Sequence, residues 1–247
     1  MRLGSFLLDL IYPSGNICLF CGQNLFFPEI SGLCCDCLQK IYFVENYCPI
    51  CGRKIDNTDL NKCNFCNDKD WNFKQARGIA EYKGLMKELI LHFKYFNKTE
   101  LIAPLGDILS NYFKYYYGNR EINYIIPVPL HEKRKEIRGY NQARILADSL
   151  QKNTGIPVLN NYVVRKKNSP PLYNLNWEQR KKALTGVFDI ARDVIDLTDM
   201  NIVVIDDIFT SGATVNEVSS ILNNKAGVND IYILTLATSS TRSTIAG

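Results

Sequence analysis

No cysteine follows Cys66, no apolar run approaches the length of a membrane span, and neither charge is in large excess. The only apolar stretch near the start, Phe6 to Tyr12, is interrupted by Asp9 and meets Pro13, so neither a secretory signal nor a spanning helix is expected. A reducing, cytoplasmic setting is the expectation, and there clustered cysteines serve metals rather than disulfides. The 29 Lys and Arg exceed the 25 Asp and Glu by a formal +4. Eight thiolates around two Zn2+ would add about −4 and bring the chain near neutrality. Net basicity is therefore no argument for nucleic-acid binding, and affinity for a phosphate backbone should be modest. What remains is an ordinary globular composition, 247 residues at 46% hydrophobic, enough for one large or two small domains.

All nine cysteines lie between Cys18 and Cys66, and eight of them form four CxxC pairs: Cys18/Cys21, Cys34/Cys37, Cys48/Cys51 and Cys63/Cys66. Two thiolates separated by two residues turn onto one metal, and tetrahedral Zn2+ needs two such pairs, so the eight fit two closed structural zinc sites. The intervals of 12, 10 and 11 residues between pairs permit consecutive or interleaved pairing, of which the consecutive one is favoured. Gly22 and Gly52, each directly after a pair, suit the tight turns of a zinc knuckle. Cys35 is odd in number and reads as a bystander, although it could replace Cys34. No pair sits at a strand-to-helix junction of the kind a redox CxxC uses, and an iron–sulfur cluster is a minor alternative. With few large apolar residues here, metal would supply the folding energy that a core cannot. Residues 4–12 read as one short amphipathic helix. The polar linker from Asn67 to Lys74 marks the boundary between a zinc module over 1–70 and a second domain over 71–247.

The second domain is organised around Ile202 to Thr214, IVVIDDIFTSGAT. Ile202 to Ile205 form a short continuous apolar run that predicts a buried parallel strand, and Asp206 and Asp207 follow it at once. Thr210, Ser211, Gly212, Ala213 and Thr214 come next, ahead of a helical pattern at Val215, Val218, Ile221 and Leu222. A hydroxyl-rich loop at a helix N-terminus offers unpaired backbone N–H groups and a favourable dipole to a phosphate monoester. Two carboxylates accept hydrogen bonds from vicinal hydroxyls and help to hold a hydrated Mg2+. Either half alone matches a solvated strand end or an ordinary N-cap. In this order they select one ligand, a phosphorylated ribose. The stretch resembles the phosphoribosyltransferase family, whose motif for phosphoribosyl pyrophosphate (PRPP) is an apolar strand, two acidic residues, two apolar residues and a Thr/Ser-Gly-x-Thr loop. Phe209 departs mildly, since a smaller aliphatic is usual there.

Around this stretch, strands and helices alternate. Ala76 to Tyr82 predicts a strand, Gly84 opens a helix, Leu101 to Tyr117 is a second helix, and Tyr124 to Val128 is the next strand. A helix from about Asn141 to Asn153 and a strand over Val158 to Val164 follow. Tyr115, Tyr116 and Tyr117 sit at helical spacing with Tyr112 and Phe113 and read as packing rather than a base-stacking platform. The order predicts an α/β fold, a parallel sheet flanked by crossover helices. Ligands in such sheets bind beyond the strands' carboxyl ends, where PVPLH, Pro127 to His131, also falls. That loop, with Lys133, Arg134, Lys135 and Arg138 nearby, is the candidate partner site for a pyrophosphate, the alternative being a solvated basic loop.

PVPLH followed by RGYNQA, Arg138 to Ala143, together with the CxxC pairs and the FKY of Phe93 to Tyr95, resembles the ComF family. The likeness covers nearly the whole chain. It implies a zinc finger followed by a phosphoribosyltransferase-type domain, a role in competence and uptake of single-stranded DNA, and partners such as a DNA translocase and a recombination mediator. The resulting assignment gives ribose hydroxyls to Asp206 and Asp207, the catalytic pair. It gives the 5′-phosphate to Thr210 through Thr214, and pyrophosphate to Val128, Pro129, Leu130, His131 and Arg138. In the segment between the two loops, Ser169, Arg180, Gly186 and Phe188 match the family, whereas Pro171 stands for a usual Gln and Ala183 for a usual Asn. Three readings follow: phosphoribosyl transfer to an unidentified acceptor, a PRPP-binding module acting with single-stranded DNA, and a PRPP-sensing regulator. Arg2, and the absence of a cysteine-nucleophile domain ahead of the zinc module, argue against a glutamine-dependent amidotransferase.

Overall fold

The structure, a computed structural model, describes residues 17–25, 32–56, 62–95, 99–131, 136, 138–167, 172, 175–192 and 194–239. The expected helix over 4–12, Lys133 to Lys135, Ser169 and Pro171 lie outside them.

Every strand of the main sheet is parallel to its neighbour. The sheet comprises β1 (Gln75–Glu81), β6 (Ile231–Thr238), β5 (Ile202–Phe209) and β2 (Tyr124–Pro127), in that spatial order. Alternating residues point to opposite faces, so each strand feeds two cores. After the short α1 (Cys35–Leu38) in the first cysteine ribbon, the helices α2 (Gly84–Tyr95), α3 (Ile102–Tyr117) and α4 (Gln142–Thr154) pack on one face against Val203, Ile205, Leu234 and Leu236. Ile202, Val204, Ile231 and Ile233 face the other way, toward α6 (Ala213–Ala226) and the cysteines from Cys48 to Cys66. Both cores thus take in cysteine ligands as well as sheet residues. Burial of each such side chain contributes about 2 kcal/mol before chain entropy is counted.

The helices follow their apolar spacing. In α2, Leu85, Met86, Leu89, Ile90 and Phe93 are all buried. Helix α4 starts at Asn141, whose side chain accepts from the Ala143 amide, and ends at the left-handed Gly155. In α3, Tyr117 is fully buried and donates to the Ile233 carbonyl at 2.9 Å, and Tyr116 meets Tyr47 edge-on. Tyr115 points outward at 75% exposure.

Two expectations need correcting. Val158 to Val164 is not one strand: Val158 makes a single parallel bridge to Ile125, and the chain then turns at Asn160 and Asn161, the latter at φ 63. Only β3 (Val163–Arg165) is extended again, pairing antiparallel with β4 (Phe188–Ile190) in a separate two-stranded sheet. An αL residue inside the run breaks the ladder that the apolar pattern suggests. Strand β5, conversely, does not stop at Ile205, because Ile208 and Phe209 still pair with Ala237 and Thr238. Both carboxylates therefore stand on the strand itself. The polar segment between β3 and β4 contains α5 (Trp177–Leu184), opened by a capping box of Asn176 and Gln179.

Candidate functional site

The cysteines form two clusters in consecutive order: Cys18, Cys21, Cys34 and Cys37, then Cys48, Cys51, Cys63 and Cys66, with the sulfurs of each cluster within 4.8 Å of one another. Tetrahedral Zn2+ with Zn–S near 2.3 Å demands sulfur–sulfur edges of about 3.8 Å. The Cys18–Cys37 and Cys21–Cys34 distances are 3.7 and 3.6 Å, and Cys48–Cys66 and Cys51–Cys63 are 3.9 and 3.6 Å. The residues fit the metal. The two knuckles are built alike: the Gly22 and Gly52 amides return to the Cys18 and Cys48 carbonyls, and the Cys34 and Cys63 amides approach the Cys18 and Cys48 sulfurs. Cys35 is exposed and belongs to neither cluster.

At the other end of the chain, one cavity of about 200 Å³ brings the separate motifs together. Asp206, Asp207, Thr210 and Thr214 line it from β5 and the start of α6, and Val128, Pro129, Leu130 and Arg138 line it from across β2. His131, Ser211, Gly212 and Ala213 are not part of its wall. Gly212 is the N-cap of α6 at φ 75, and a Cβ there would lie 2.5 Å from the Phe209 ring and 2.9 Å from Trp71. Only glycine fits that turn beneath those two rings. The departure at Phe209 is thereby explained: its ring packs with Trp71 and Phe73 behind the loop.

Lys94 was not singled out as a binding residue from sequence, and it stands inside this cavity with its ammonium 2.6 Å from Asp207. Asp206 stands beside Asp207 on β5. Its half-buried setting and the negative charge of Asp207 push its carboxyl up to about 7. Two carboxylates, one of them already held by an ammonium, fit a hydrated Mg2+ that arrives with a ligand better than a resident ion.

The RGYNQA segment earns its place by hydrogen bonding. Arg138 donates to Gln142 Oε1 and to the Tyr95 hydroxyl, both at 3.1 Å, and Tyr140 donates to the Phe93 carbonyl. Asn141 Nδ2 reaches the Val128 carbonyl at 3.0 Å. One segment thus fixes the end of α2, the start of α4 and the PVPLH loop. Gln142 is buried at 2% exposure, lines the cavity, and leaves its Nε2 without a partner. Such an orphan donor beside Lys94 and Arg138 suits an anionic oxygen. Arg180 Nη1 approaches the Thr210 hydroxyl at 3.3 Å, while its Nε donates to the Leu175 carbonyl. Arg165 also lines the cavity. Ala183 lies on α5.

Among known proteins, the family described as a double zinc ribbon domain matches residues 7–68. Competence protein F of Haemophilus influenzae is 30% identical over 223 residues, 89% of this chain and 96% of that protein. Competence protein ComFC of Bacillus subtilis is 28% identical over 235 residues, 93% of this chain and 87% of that one. DNA utilization protein YhgH of Escherichia coli K12 is 24% identical over 207 residues, 82% and 89% of the two chains. Among solved structures, adenine phosphoribosyltransferase from Saccharomyces cerevisiae aligns over 69% of this chain and 81% of its own at 14% identity, with a TM-score of 0.39. No described helix is long and apolar enough to cross a membrane.

Proposed function

The chain belongs to the competence protein F family, and we propose that its second domain, residues 71–247, binds PRPP with Mg2+ at the β5–α6 junction, in the service of DNA uptake or use. The observation that carries this reading is a single cavity with chemically distinct ends. Asp206 and Asp207 supply acceptors for ribose hydroxyls at its centre. On one side, Thr210 to Thr214 and the first turn of α6 supply backbone and hydroxyl donors for a 5′-phosphate. On the other, Lys94, Arg138, the unpartnered Gln142 Nε2 and the loop Val128 to Leu130 supply positive charge and donors for pyrophosphate. PRPP presents those three groups in that order.

The chemistry such a site favours is displacement at C1 of the ribose: an acceptor N–H or O–H forms the new bond to C1, the C1–O bond breaks, and pyrophosphate leaves with that electron pair. The acceptor's proton passes to solvent or to the pyrophosphate. Asp206 and Asp207 would hold the ring while C1 gains positive character, and Lys94 would be released from Asp207 as the ribose hydroxyls arrive. The same two carboxylates would help to hold a hydrated Mg2+, which would supply charge neutralisation for the departing pyrophosphate. The relatives' names, competence protein and DNA utilization protein, support a role in DNA uptake or use, and on this reading the protein acts beside single-stranded DNA in the cytoplasm with competence proteins as partners. The two zinc ions are scaffolding: each cluster uses four thiolates and leaves no open position.

Calorimetric titration of the zinc-loaded protein with PRPP and Mg2+, followed by assay of pyrophosphate release with and without single-stranded DNA, tests the reading. Binding with release makes the protein a transferase. Binding without release makes it a PRPP-responsive component of DNA uptake, and absence of binding overturns the proposal.

A further inference from the structure

The phosphate loop is held from behind by the second cysteine cluster, and the contact is specific. Arg53 lies in the Cys48–Cys66 ribbon, with its own carbonyl taken by the Cys48 amide at 2.8 Å. Its side chain is 5% exposed and lies over the Phe65 ring at 3.7 Å, with Phe209 at 5.9 Å on the way to the loop. From there Nη2 donates to the backbone carbonyl of Thr210. Ser239 Oγ donates to the same carbonyl at 3.0 Å.

That carbonyl belongs to the Thr210–Ser211 peptide. In a planar trans peptide the C=O and the following N–H point in opposite directions. Two donors gripping the Thr210 oxygen, one from the ribbon and one from the residue after β6, therefore turn the Ser211 N–H away from both. The Thr210 hydroxyl is separately oriented by Arg180. We infer that Arg53 is a positioning residue for the phosphate loop, and that the second zinc ribbon is thereby a working part of the ligand site rather than an appended module. The inference rests on the PRPP reading above and adds a residue 157 positions away in sequence.

The chemistry explains the choice of residue. A tetrathiolate zinc centre would carry a net charge of about −2, and Arg53 follows its ligand Cys51 closely in the same ribbon. A guanidinium there is held between the metal centre on one side and a carbonyl dipole on the other. It is also planar, so it can lie flat on Phe65 while directing N–H groups outward in the ring plane. A lysine ammonium has neither property.

The test separates the ligand's two ends. The wild-type protein and the variants Arg53→Ala, Arg53→Lys and Ser239→Ala are titrated with ribose 5-phosphate and, separately, with pyrophosphate and Mg2+, and zinc content is measured for each. The expected result for Arg53→Ala is at least ~tenfold weaker binding of ribose 5-phosphate, with two zinc ions retained and pyrophosphate affinity within ~twofold of wild type. Arg53→Lys should recover part of the loss, and Ser239→Ala should show a smaller loss in the same direction. Unchanged ribose 5-phosphate affinity in Arg53→Ala, or equal weakening toward both ligands, overturns the inference. Should that variant fail to fold, Arg53→Lys and Ser239→Ala decide it, and wild-type affinity in both overturns it. A wild-type protein that binds neither ligand overturns the PRPP reading itself, and this inference with it.

Discussion

The two cysteine clusters share one construction, with the same knuckle glycine and the same amide-to-sulfur contact, yet they stand in different surroundings. In the first, Cys21 is exposed and Cys34 half-buried. In the second, all four ligands are buried, the ribbon lies against β1 through the Ala76 amide and the Ile50 carbonyl, and Arg53 reaches the phosphate loop. A Cβ on Gly52 would lie 2.4 Å from the Ala76 carbonyl, which measures how closely that ribbon is pressed to the sheet. The same cysteine construction thus stands partly exposed in the first ribbon and is pressed between the sheet and the Thr210 carbonyl in the second. The difference lies in what the ribbon's other residues touch.

If this contrast is real, a ligand removed from the second cluster should act on PRPP at a distance. Cys51→Ser should lose one zinc and weaken PRPP binding by at least ~hundredfold, because the metal supplies the folding energy of the segment that carries Arg53. Calorimetry alongside metal analysis reads both effects, and PRPP affinity that survives loss of the second zinc would erase the distinction. Direct contact sets the scale for comparison. Asp207→Asn removes one ribose acceptor and the partner of Lys94, and should cost PRPP affinity at least about tenfold, or about 1.4 kcal/mol, with both zinc ions in place.

The carboxylate beside it gives a dependence on pH that neither ribbon should share. Asp206 is raised to about 7, above its unfolded value of 3.8, so its contribution to folding is fully present only below the lower value and is lost as pH rises through the higher one. Ligand binding runs the opposite way, since an acceptor carboxylate is complete only above about pH 7. PRPP affinity should fall by about tenfold between pH 8 and pH 6, and Asp206→Asn should flatten that part of the profile. The smallest effect belongs to the first ribbon. Cys21→Ser should release its zinc to a chelator readily, yet change PRPP affinity by less than ~threefold. A larger loss would join the two clusters into one functional unit.

What could be read from the chain was whatever lies close together along it. The CxxC pairs, the run IVVIDDIFTSGAT, and the helices of 84–117 and 142–154 each carry their signal within a dozen or so residues, and the structure forms each of them. The apolar run Ile231 to Thr238 and the Asn176–Gln179 capping box are equally local signals. Val158 to Val164 misled because apolar content outweighed the Asn160–Asn161 pair, which takes the turn that breaks the strand. Lys94 was noticed only at the end of a helix, and nothing along the sequence says that α2 ends against Asp207. Arg53 is more hidden still, since it sits among metal ligands and its partner is a backbone carbonyl that no side-chain pattern marks.

Both tryptophans of the chain, Trp71 and Trp177, meet edge-to-face at 6.1 Å in the aromatic group behind Gly212, and both ring N–H groups are buried without a partner. All of the indole emission of this protein therefore originates beside the phosphate loop. A change in that loop, whether by ligand, by loss of zinc from the second ribbon or by substitution at Arg53, is reported in the intrinsic fluorescence without any label.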